Sequence, residues 1–203
     1  MKLETMVLGP LATNCYILWD EQTMEAAVID PGASGQKIAD FLTANGLTLR
    51  MILLTHSHYD HIGGLRQLHE LTGAPVWVSK IDSADPAGMT HGRLIFTDTY
   101  EDGDELTLGT IKIRVIATPG HTPGGVCLLA GDWLFSGDTL FAGSCGRTDF
   151  YGGSMEDMMT SLARLAALPG DYRVLPGHMH PSTLERERAC NPYIQMALRG
   201  RNG

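Results

Sequence analysis

Four candidate metal ligands stand within six positions of one another, directly after an apolar stretch. His56, His58, Asp60 and His61 all belong to the segment T-H-S-H-Y-D-H at 55–61. In an extended loop His56 and His58, two positions apart, point to the same side. Asp60 and His61 are adjacent and diverge in direction, so we expect this pair to face a second metal rather than the first.

Three further segments share one local design, in which a glycine ends an apolar stretch and an imidazole or a carboxylate follows it. I-A-T-P-G leads to His121, L-F-S-G to Asp138 and V-L-P-G to His178. In layered α/β folds, sites form in the loops beyond strand ends. If these strand ends share one edge, their side chains meet the segment at 55–61.

The candidates comprise imidazoles and carboxylates, a donor set that suits Zn²⁺ and also Fe or Mn. One four-coordinate metal cannot use all of them, whereas two metals that share one carboxylate can. Asp138 is the expected bridge, because a carboxylate has two oxygens and a neutral imidazole has one free lone pair. We therefore predict two divalent metal ions, preferably Zn²⁺, with the ligands His56, His58, Asp60, His61, His121, Asp138 and His178.

The elements that position these residues are predicted from apolar periodicity and turn residues, and they indicate an α/β or α+β layered domain. Strands are predicted at Lys2–Val7, Cys15–Trp19, Ala26–Ile29, Met51–Leu54, Pro75–Ser79, 111–116, Val126–Ala130, Trp133–Ser136 and Arg173–Leu175. Helices are predicted at Gln36–Ala44, Leu65–Leu71, Ser154–Leu168, Leu184–Cys190 and Pro192–Arg199. Ser154 is the expected N-cap of an apolar helix face formed by Met155, Met158, Met159, Leu162, Leu165 and Ala166. The stretch from Lys80 to Glu105 predicts only a long loop with a short helix.

Composition limits the function classes. At 203 residues we expect one domain over 1–203. A net charge of −8 argues against nucleic acid as a partner, because phosphate binding needs a basic face. We find no secretory signal and no membrane-spanning segment. The four cysteines form no C-x-x-C pair, which argues against a disulfide framework, so we expect a cytoplasmic protein with no membrane partner.

The motifs resemble those of the metallo-β-lactamase superfamily, and specifically of its glyoxalase II-like hydrolases. The carriers are T-H-S-H-Y-D-H at 55–61, T-P-G-H-T-P-G-G at 118–125, S-G-D-T-L-F at 136–141, C-G-R-T-D-F at 145–150 and L-P-G-H at 175–178. The resemblance implies a four-layer αββα sandwich with a dinuclear site on its edge. It assigns His56, His58 and His121 to one metal and Asp60, His61 and His178 to the other, with Asp138 as the bridge.

The resemblance implies a hydrolase, and the chemistry of the leaving group narrows its substrate. A thiol with a pKa of about 8.5 departs as thiolate without an acid, whereas an amide nitrogen must be protonated. We therefore predict hydrolysis of a small-molecule thioester, similar to a hydroxyacylglutathione, by attack of a metal-bound hydroxide. Asp60 is expected to orient the nucleophile.

Some residues keep two interpretations. Arg147 is a tentative contact for a substrate carboxylate, with a role in bracing its own loop as the equal alternative. Tyr59, Tyr151 and His180 remain candidate proton donors, although a surface position is favoured for His180. Cys145 is expected to be packed rather than reactive.

Two differences from known relatives bear on the substrate. Glyoxalase II enzymes that hydrolyse the glutathione thioester of lactate carry an extra C-terminal helical region that contacts glutathione. With 25 residues after His178, we expect that domain to be absent. Lactamase activity is not expected, because members that bind zinc through a thiolate have a cysteine near the position of Asp138.

Three alternatives remain. A persulfide dioxygenase is the first, because that sister branch shares C-G-R-T-D-F and uses a single iron at the positions of His58, His121 and Asp138. A phosphodiesterase or other ester hydrolase on the same scaffold is the second, and the acidic net charge disfavours a nuclease. A metal-binding module without catalysis is the third, and nothing motivates it while all the ligands are present. The sequence sets no oligomeric state.

Overall fold

Two six-stranded β-sheets pack face to face in the computed structural model, which describes residues 1–84 and 89–200. In spatial order the first sheet contains β1 (Lys2–Leu8), β2 (Thr13–Trp19), β3 (Glu25–Ile29), β4 (Thr48–Leu53), β5 (Val76–Ser79) and β6 (Asp98–Tyr100). The second contains β14 (Ser182–Thr183), β13 (Arg173–Pro176), β10 (Trp133–Gly137), β9 (Val126–Ala130), β8 (Ile111–Ala117) and β7 (Glu105–Leu108). β11 (Leu140–Phe141) and β12 (Ser144–Cys145) form a separate hairpin.

Helices cover both outer faces of the paired sheets. The helices are α1 (Gly35–Ala44), α2 (Leu65–Thr72), α3 (Met155–Ala166), α4 (Leu184–Cys190) and α5 (Pro192–Gly200). Apolar side chains of α1 and α2 share a core with the first sheet, and those of α3, α4 and α5 share another with the second sheet. A third core lies between the sheets. The predicted αββα sandwich is confirmed.

Strand β2 shows how the sequence serves two cores at once. Its residues are almost all buried, because the strand lies inside the sheet and both of its faces are covered. Cys15 and Ile17 belong to the core beneath α1 and α2, while Tyr16 and Leu18 belong to the core between the sheets. The Tyr16 ring meets the ring of Phe135 edge to face, with centroids 5.3 Å apart.

The direction of the strands brings the ligand-bearing loops to one edge. β10 runs parallel to β13, and β8 and β10 are both antiparallel to β9. β8, β10 and β13 therefore point the same way, and the loops that follow them leave from the same edge of the second sheet. The segment after β4 reaches this edge from the first sheet, since the Val126 amide donates to the Thr55 carbonyl at 2.9 Å.

The stretch from Lys80 to Glu105 differs from the expected loop. It contains a 3₁₀ turn at Asp82–Ala84, which agrees with the predicted short helix, but also strand β6 and the first residue of β7. A three-residue edge strand is too short to show periodicity, so pattern alone misses it. Residues 85–88 of this stretch lie outside the described part.

Helix α3 begins and packs almost as predicted. The Ser154 hydroxyl accepts a hydrogen bond from the Asp157 amide at 3.2 Å, which confirms it as the N-cap. Met158 and Leu162 are buried as expected. Met155 is the correction, since its side chain is 46% exposed. It occupies the first position of the helix, where the side chain does not pack fully against the sheet.

The cysteines and the helices bear on the predicted location. All four cysteines are free, and Cys15 and Cys127 are buried, in agreement with the absence of a disulfide framework. Within residues 1–84 and 89–200 no helix has the length and apolar character needed to cross a bilayer. The cytoplasmic location stays a prediction.

Candidate metal centre

The predicted ligands converge where β4, β8, β10 and β13 end. One group of three ligand atoms comes from His56, His58 and His121, and a second comes from Asp60, His61 and His178. Within each group the atoms lie within 4.8 Å of one another. We call these the three-histidine cluster and the mixed cluster.

The three-histidine cluster is almost completely buried, with His56, His58 and His121 only 2%, 4% and 5% exposed. Their ring centroids lie 4.5–4.9 Å apart. The Nε2 atom of each ring is buried and has no hydrogen-bond partner in the described part of the chain. Nδ1 of His121 donates to the Arg147 carbonyl at 2.7 Å, so its Nε2 keeps a free lone pair.

The electrostatics of this cluster favour neutral rings. Burial, reinforced by the neighbouring imidazoles, lowers the pKa of His58 to about 3. The same causes lower the pKa of His56 well below its ordinary value. Neutral imidazole is the form that binds a metal. Converging, unprotonated and otherwise unpaired nitrogens are therefore a good fit for a divalent cation.

The mixed cluster also directs its acceptor atoms inward. Nε2 of His178 lies 3.2 Å from Oδ2 of Asp60 and 3.3 Å from Nε2 of His61. The Nδ1 atoms point outward, that of His61 to the Asp30 carboxylate at 3.0 Å and that of His178 to the Leu11 carbonyl at 3.1 Å. Because each Nδ1 donates outward, the Nε2 atoms are the ones left to face a cation, which takes the place of any proton that they carry.

Negative charge around His61 attracts a cation. Burial opposes protonation of this ring, but the carboxylates of Asp138, Asp30 and Asp60 outweigh it and raise the pKa of His61 to about 9. The field at this point therefore stabilises positive charge, whether a proton or a metal ion supplies it.

Asp138 lies between the two clusters. Its Oδ2 is 3.5 Å from Nε2 of His121 and 3.6 Å from Nε2 of His178, and its Oδ1 is 3.5 Å from Nε2 of His61. Oδ1 is buried, and no residue in 1–84 or 89–200 offers it a hydrogen bond. A carboxylate in this position can contact cations on both sides.

Hydrogen bonds from two side chains to backbone carbonyls hold the loop of His178. The Asn14 side chain donates to the carbonyls of Pro176 and Met179, each at 3.0 Å. The Tyr16 hydroxyl donates to the Pro176 carbonyl at 2.7 Å. Both side chains lie on β2, so the first sheet positions a ligand that belongs to the second.

Close packing explains why a glycine, Gly177, directly precedes His178. A Cβ at Gly177 would lie 2.7 Å from Cε1 of His61 and would collide with Oδ1 of Asp138. The loop after β13 therefore needs glycine at this position for the two clusters to approach each other.

Sequence reasoning missed two buried carboxylates next to the site. Asp30 receives the His61 ring and also accepts from the amide and the hydroxyl of Thr55 at 2.7 and 2.6 Å. Asp82 joins the loops that carry the three-histidine cluster. Asp30 directly follows the predicted strand Ala26–Ile29, and that position was the available signal. Asp82 stood in the stretch without a readable pattern and gave none.

A cleft of about 680 Å³ opens onto both clusters. Its wall is largely apolar, through Leu11, Met89, Phe141, Phe150 and Met179. Arg147 also lines it, but its guanidinium makes two 2.7 Å contacts with Asp149 and lies 3.9 Å above the Phe150 ring. The guanidinium thus braces its own loop, and its contact with substrate stays a prediction.

The other candidate proton donors differ in whether they line the cleft. Tyr59 lines the cleft and its ring stacks on His91, with centroids 4.6 Å apart. Tyr151 is 73% exposed and His180 is exposed, and neither is among the described residues that line the cleft. Burial raises the pKa of Cys145 to about 11, in agreement with a packed, unreactive thiol.

Comparison with known proteins gives consistent matches along most of the chain. The sequence model of the metallo-beta-lactamase superfamily matches residues 8–178. The probable metallo-hydrolase YqgX of Bacillus subtilis is 36% identical over 208 residues, which cover 96% of this chain and 98% of that protein. The hydroxyacylglutathione hydrolase GloC of Haemophilus influenzae is 30% identical over 209 residues, which cover 96% of this chain and 98% of that protein.

Solved structures agree with the sequence matches. The di-iron-bound form of TTHA1623 superposes with a TM-score of 0.84 at 33% identity, over 94% of this chain and 99% of that one. ETHE1 from Myxococcus xanthus superposes with a TM-score of 0.84 at 30% identity, over 98% of this chain and 90% of that one.

Proposed function

The chain belongs to the metallo-beta-lactamase superfamily, and we propose that within it the protein is a divalent-metal-dependent hydrolase of thioesters. One observation carries the metal dependence. Nε2 of His56, His58 and His121 and Oδ1 of Asp138 are buried, face the site and lack hydrogen-bond partners in the described residues. Buried polar atoms are normally paired, and four such acceptors directed at one place fit the binding of a cation.

Both clusters are assigned as metal sites. His56, His58 and His121 would hold one cation, and Asp60, His61 and His178 the other, with Asp138 in contact with both. Divalent cations held by these residues would supply hydroxide at neutral pH, because a bound metal ion lowers the pKa of water toward about 7. Zn²⁺ is the proposed metal, while Fe or Mn suits the same donors.

Asp60 is the proposed group that orients the nucleophile. Burial alone would raise the pKa of this carboxyl, but the hydrogen bond from His178 and the charge of His61 hold it below its usual range. Asp60 is therefore an ionised acceptor that lines the cleft, suited to take a hydrogen bond from water. The Thr13 hydroxyl donates to Oδ2 at 3.4 Å and helps to hold the carboxylate.

The lining of the cleft favours a leaving group that needs no proton. Apart from the assigned ligands, the described lining residues with protic side chains are Tyr59, Ser144, Cys145 and Arg147. The pKa of Cys145 is raised by burial, and that of Arg147 is raised by its hydrogen bonds to Asp149. Neither is an effective acid at neutral pH, which leaves Tyr59 as the candidate proton donor in the lining. A thiolate departs unaided, whereas an amine does not.

The proposed substrates are thioesters similar to hydroxyacylglutathiones. The likeness to GloC, which is named a hydroxyacylglutathione hydrolase, supports this choice. The experiment measures bound metal by elemental analysis and, on the same preparation, the hydrolysis of lactoylglutathione and of the matched lactoyl amide. We expect two equivalents of metal and turnover of the thioester alone. One equivalent of iron without thioester turnover would refute the proposal.

A persulfide dioxygenase is the second candidate. It is favoured by the superposition on ETHE1 and by the C-G-R-T-D-F segment at 145–150. The complete mixed cluster counts against it, because a single iron leaves Asp60, His61 and His178 without a function. Oxygen consumption with glutathione persulfide, measured beside thioester hydrolysis, distinguishes the two activities.

A further inference from the structure

We infer that Asp82 is a positioning residue for the three-histidine cluster. It lies on the 3₁₀ turn after β5 and is only 1% exposed. None of the assigned ligands is close to it in sequence. The inference rests on the proposed function, since it concerns the affinity of one of the two metal sites.

The Asp82 carboxylate joins the two loops that supply the cluster. Oδ2 accepts from the Ser57 amide at 3.1 Å and from the Thr122 hydroxyl at 3.0 Å. Oδ1 accepts from the Gly124 amide at 2.8 Å. Ser57 stands between His56 and His58, and Thr122 directly follows His121. One side chain therefore sets the distance between the loop at 55–61 and the loop at 118–125.

Contacts with Ser79 and Gly124 fix the position of Asp82. Its own amide donates to the Ser79 hydroxyl at 3.1 Å, which ties the turn to the end of β5. A Cβ at Gly124 would collide with Oδ1 of Asp82 and would lie 2.6 Å from its amide nitrogen. Glycine is therefore required at 124 for the loop amide to reach the carboxylate.

The residues that donate hydrogen bonds to Asp82 stand next to ligands of the three-histidine cluster, although the loop at 55–61 also carries Asp60 and His61. Its hydrogen bonds reach the loops of His56, His58 and His121, while Asp30 and Asn14 hold the residues of the mixed cluster. Groups that orient metal ligands from behind change metal affinity by about 10- to 100-fold when they are replaced. Loss of Asp82 should therefore weaken one site and spare the other.

The test compares Asp82→Asn with Asp20→Asn in the full-length protein, using Zn²⁺ titrated in competition with a chelator. Asp20 is a matched control, because it is 2% exposed and its carboxylate also accepts three hydrogen bonds, from Gln22 and Thr110. For Asp82→Asn we expect one of the two sites to weaken by at least about tenfold with the other unchanged. For Asp20→Asn we expect both sites to keep the affinity of the parent protein.

Thr122 provides a second test that leaves the charge of Asp82 in place. Thr122→Val removes one hydrogen bond to the carboxylate and should weaken the same site, whereas Thr122→Ser keeps the hydroxyl and should restore it. Equal affinities in the parent protein and in Asp82→Asn would overturn the inference and leave the proposed function intact. A parent protein that binds no second Zn²⁺ would instead overturn the proposed function.

Discussion

Nδ1 of His61 lies 3.0 Å from Oδ2 of Asp30, and both side chains are almost completely buried. Because a carboxylate only accepts, the ring must donate from Nδ1 and present Nε2 to Asp138 and His178. A carboxylate behind a histidine also makes the ring a more basic ligand. The contact thus fixes the tautomer of His61.

Asp30→Asn should weaken the metal bound by the mixed cluster by about 10- to 100-fold. The amide retains one acceptor oxygen for Thr55, but its NH₂ group cannot accept the proton of His61. Dialysis against a weak chelator, followed by elemental analysis, should leave the variant with about one equivalent of metal where the parent protein keeps two. Full retention of both equivalents would show that the Asp30 contact does not matter for binding.

Asp138→Ala should lose both metals and all hydrolytic activity. Asp138 is the carboxylate within 3.6 Å of nitrogens from both clusters, so its removal takes a negative charge from each site at once. The measurement is metal content beside thioester turnover. Asp132→Ala is the control, since Asp132 is an exposed carboxylate next to the opposite end of the same strand and should change neither quantity. Activity retained in Asp138→Ala would refute the bridging role.

The sequence allowed the layered fold and the convergence of the ligands to be predicted, for a physical reason. His121, Asp138 and His178 each come after a largely buried strand and directly after a glycine, and strands β8, β10 and β13 share one direction. Because the ligands follow strand ends, the local sequence pattern was enough to predict that they meet at one edge of the sheet. Their roles as ligands stay predictions.

Asp82 and Met155 show where the pattern failed. Asp82 accepts hydrogen bonds from the Ser57 amide, the Thr122 hydroxyl and the Gly124 amide, which lie 25, 40 and 42 positions away, and no periodicity encodes such contacts. Met155 matched the spacing of the apolar face of α3, but the first helical turn is too near the end of the helix to pack. Long-range polar contacts and helix ends thus required the structure.

Asp149→Ala should improve the use of glutathione thioesters. In the parent protein both oxygens of Asp149 bind the Nε–Nη2 edge of the Arg147 guanidinium, so this edge and its charge are already engaged when a substrate carboxylate arrives. Releasing an exposed charge of this kind is worth up to about 1 kcal/mol, or a KM about fivefold lower. A neutral N-acetylcysteamine thioester should show no change, and Arg147→Ala in the Asp149→Ala background should remove the gain. An equal effect on both substrates would exclude Arg147 as a carboxylate contact.

Asp20 should make the stability of the metal-free protein depend on pH in the acid range. Hydrogen bonds from the Thr110 amide, the Gln22 amide and the Thr110 hydroxyl lower the pKa of Asp20 from its ordinary value of 3.8 to about 2. Because the folded pKa is the lower one, its stabilising effect is complete above the ordinary value and is lost as the pH falls toward about 2. Urea unfolding from about pH 7 to about pH 3 should therefore show Asp20→Asn less stable than the parent protein, with a difference that shrinks on acidification. A difference that stays constant over this range would mean that the Asp20 carboxylate titrates alike in the folded and unfolded chains.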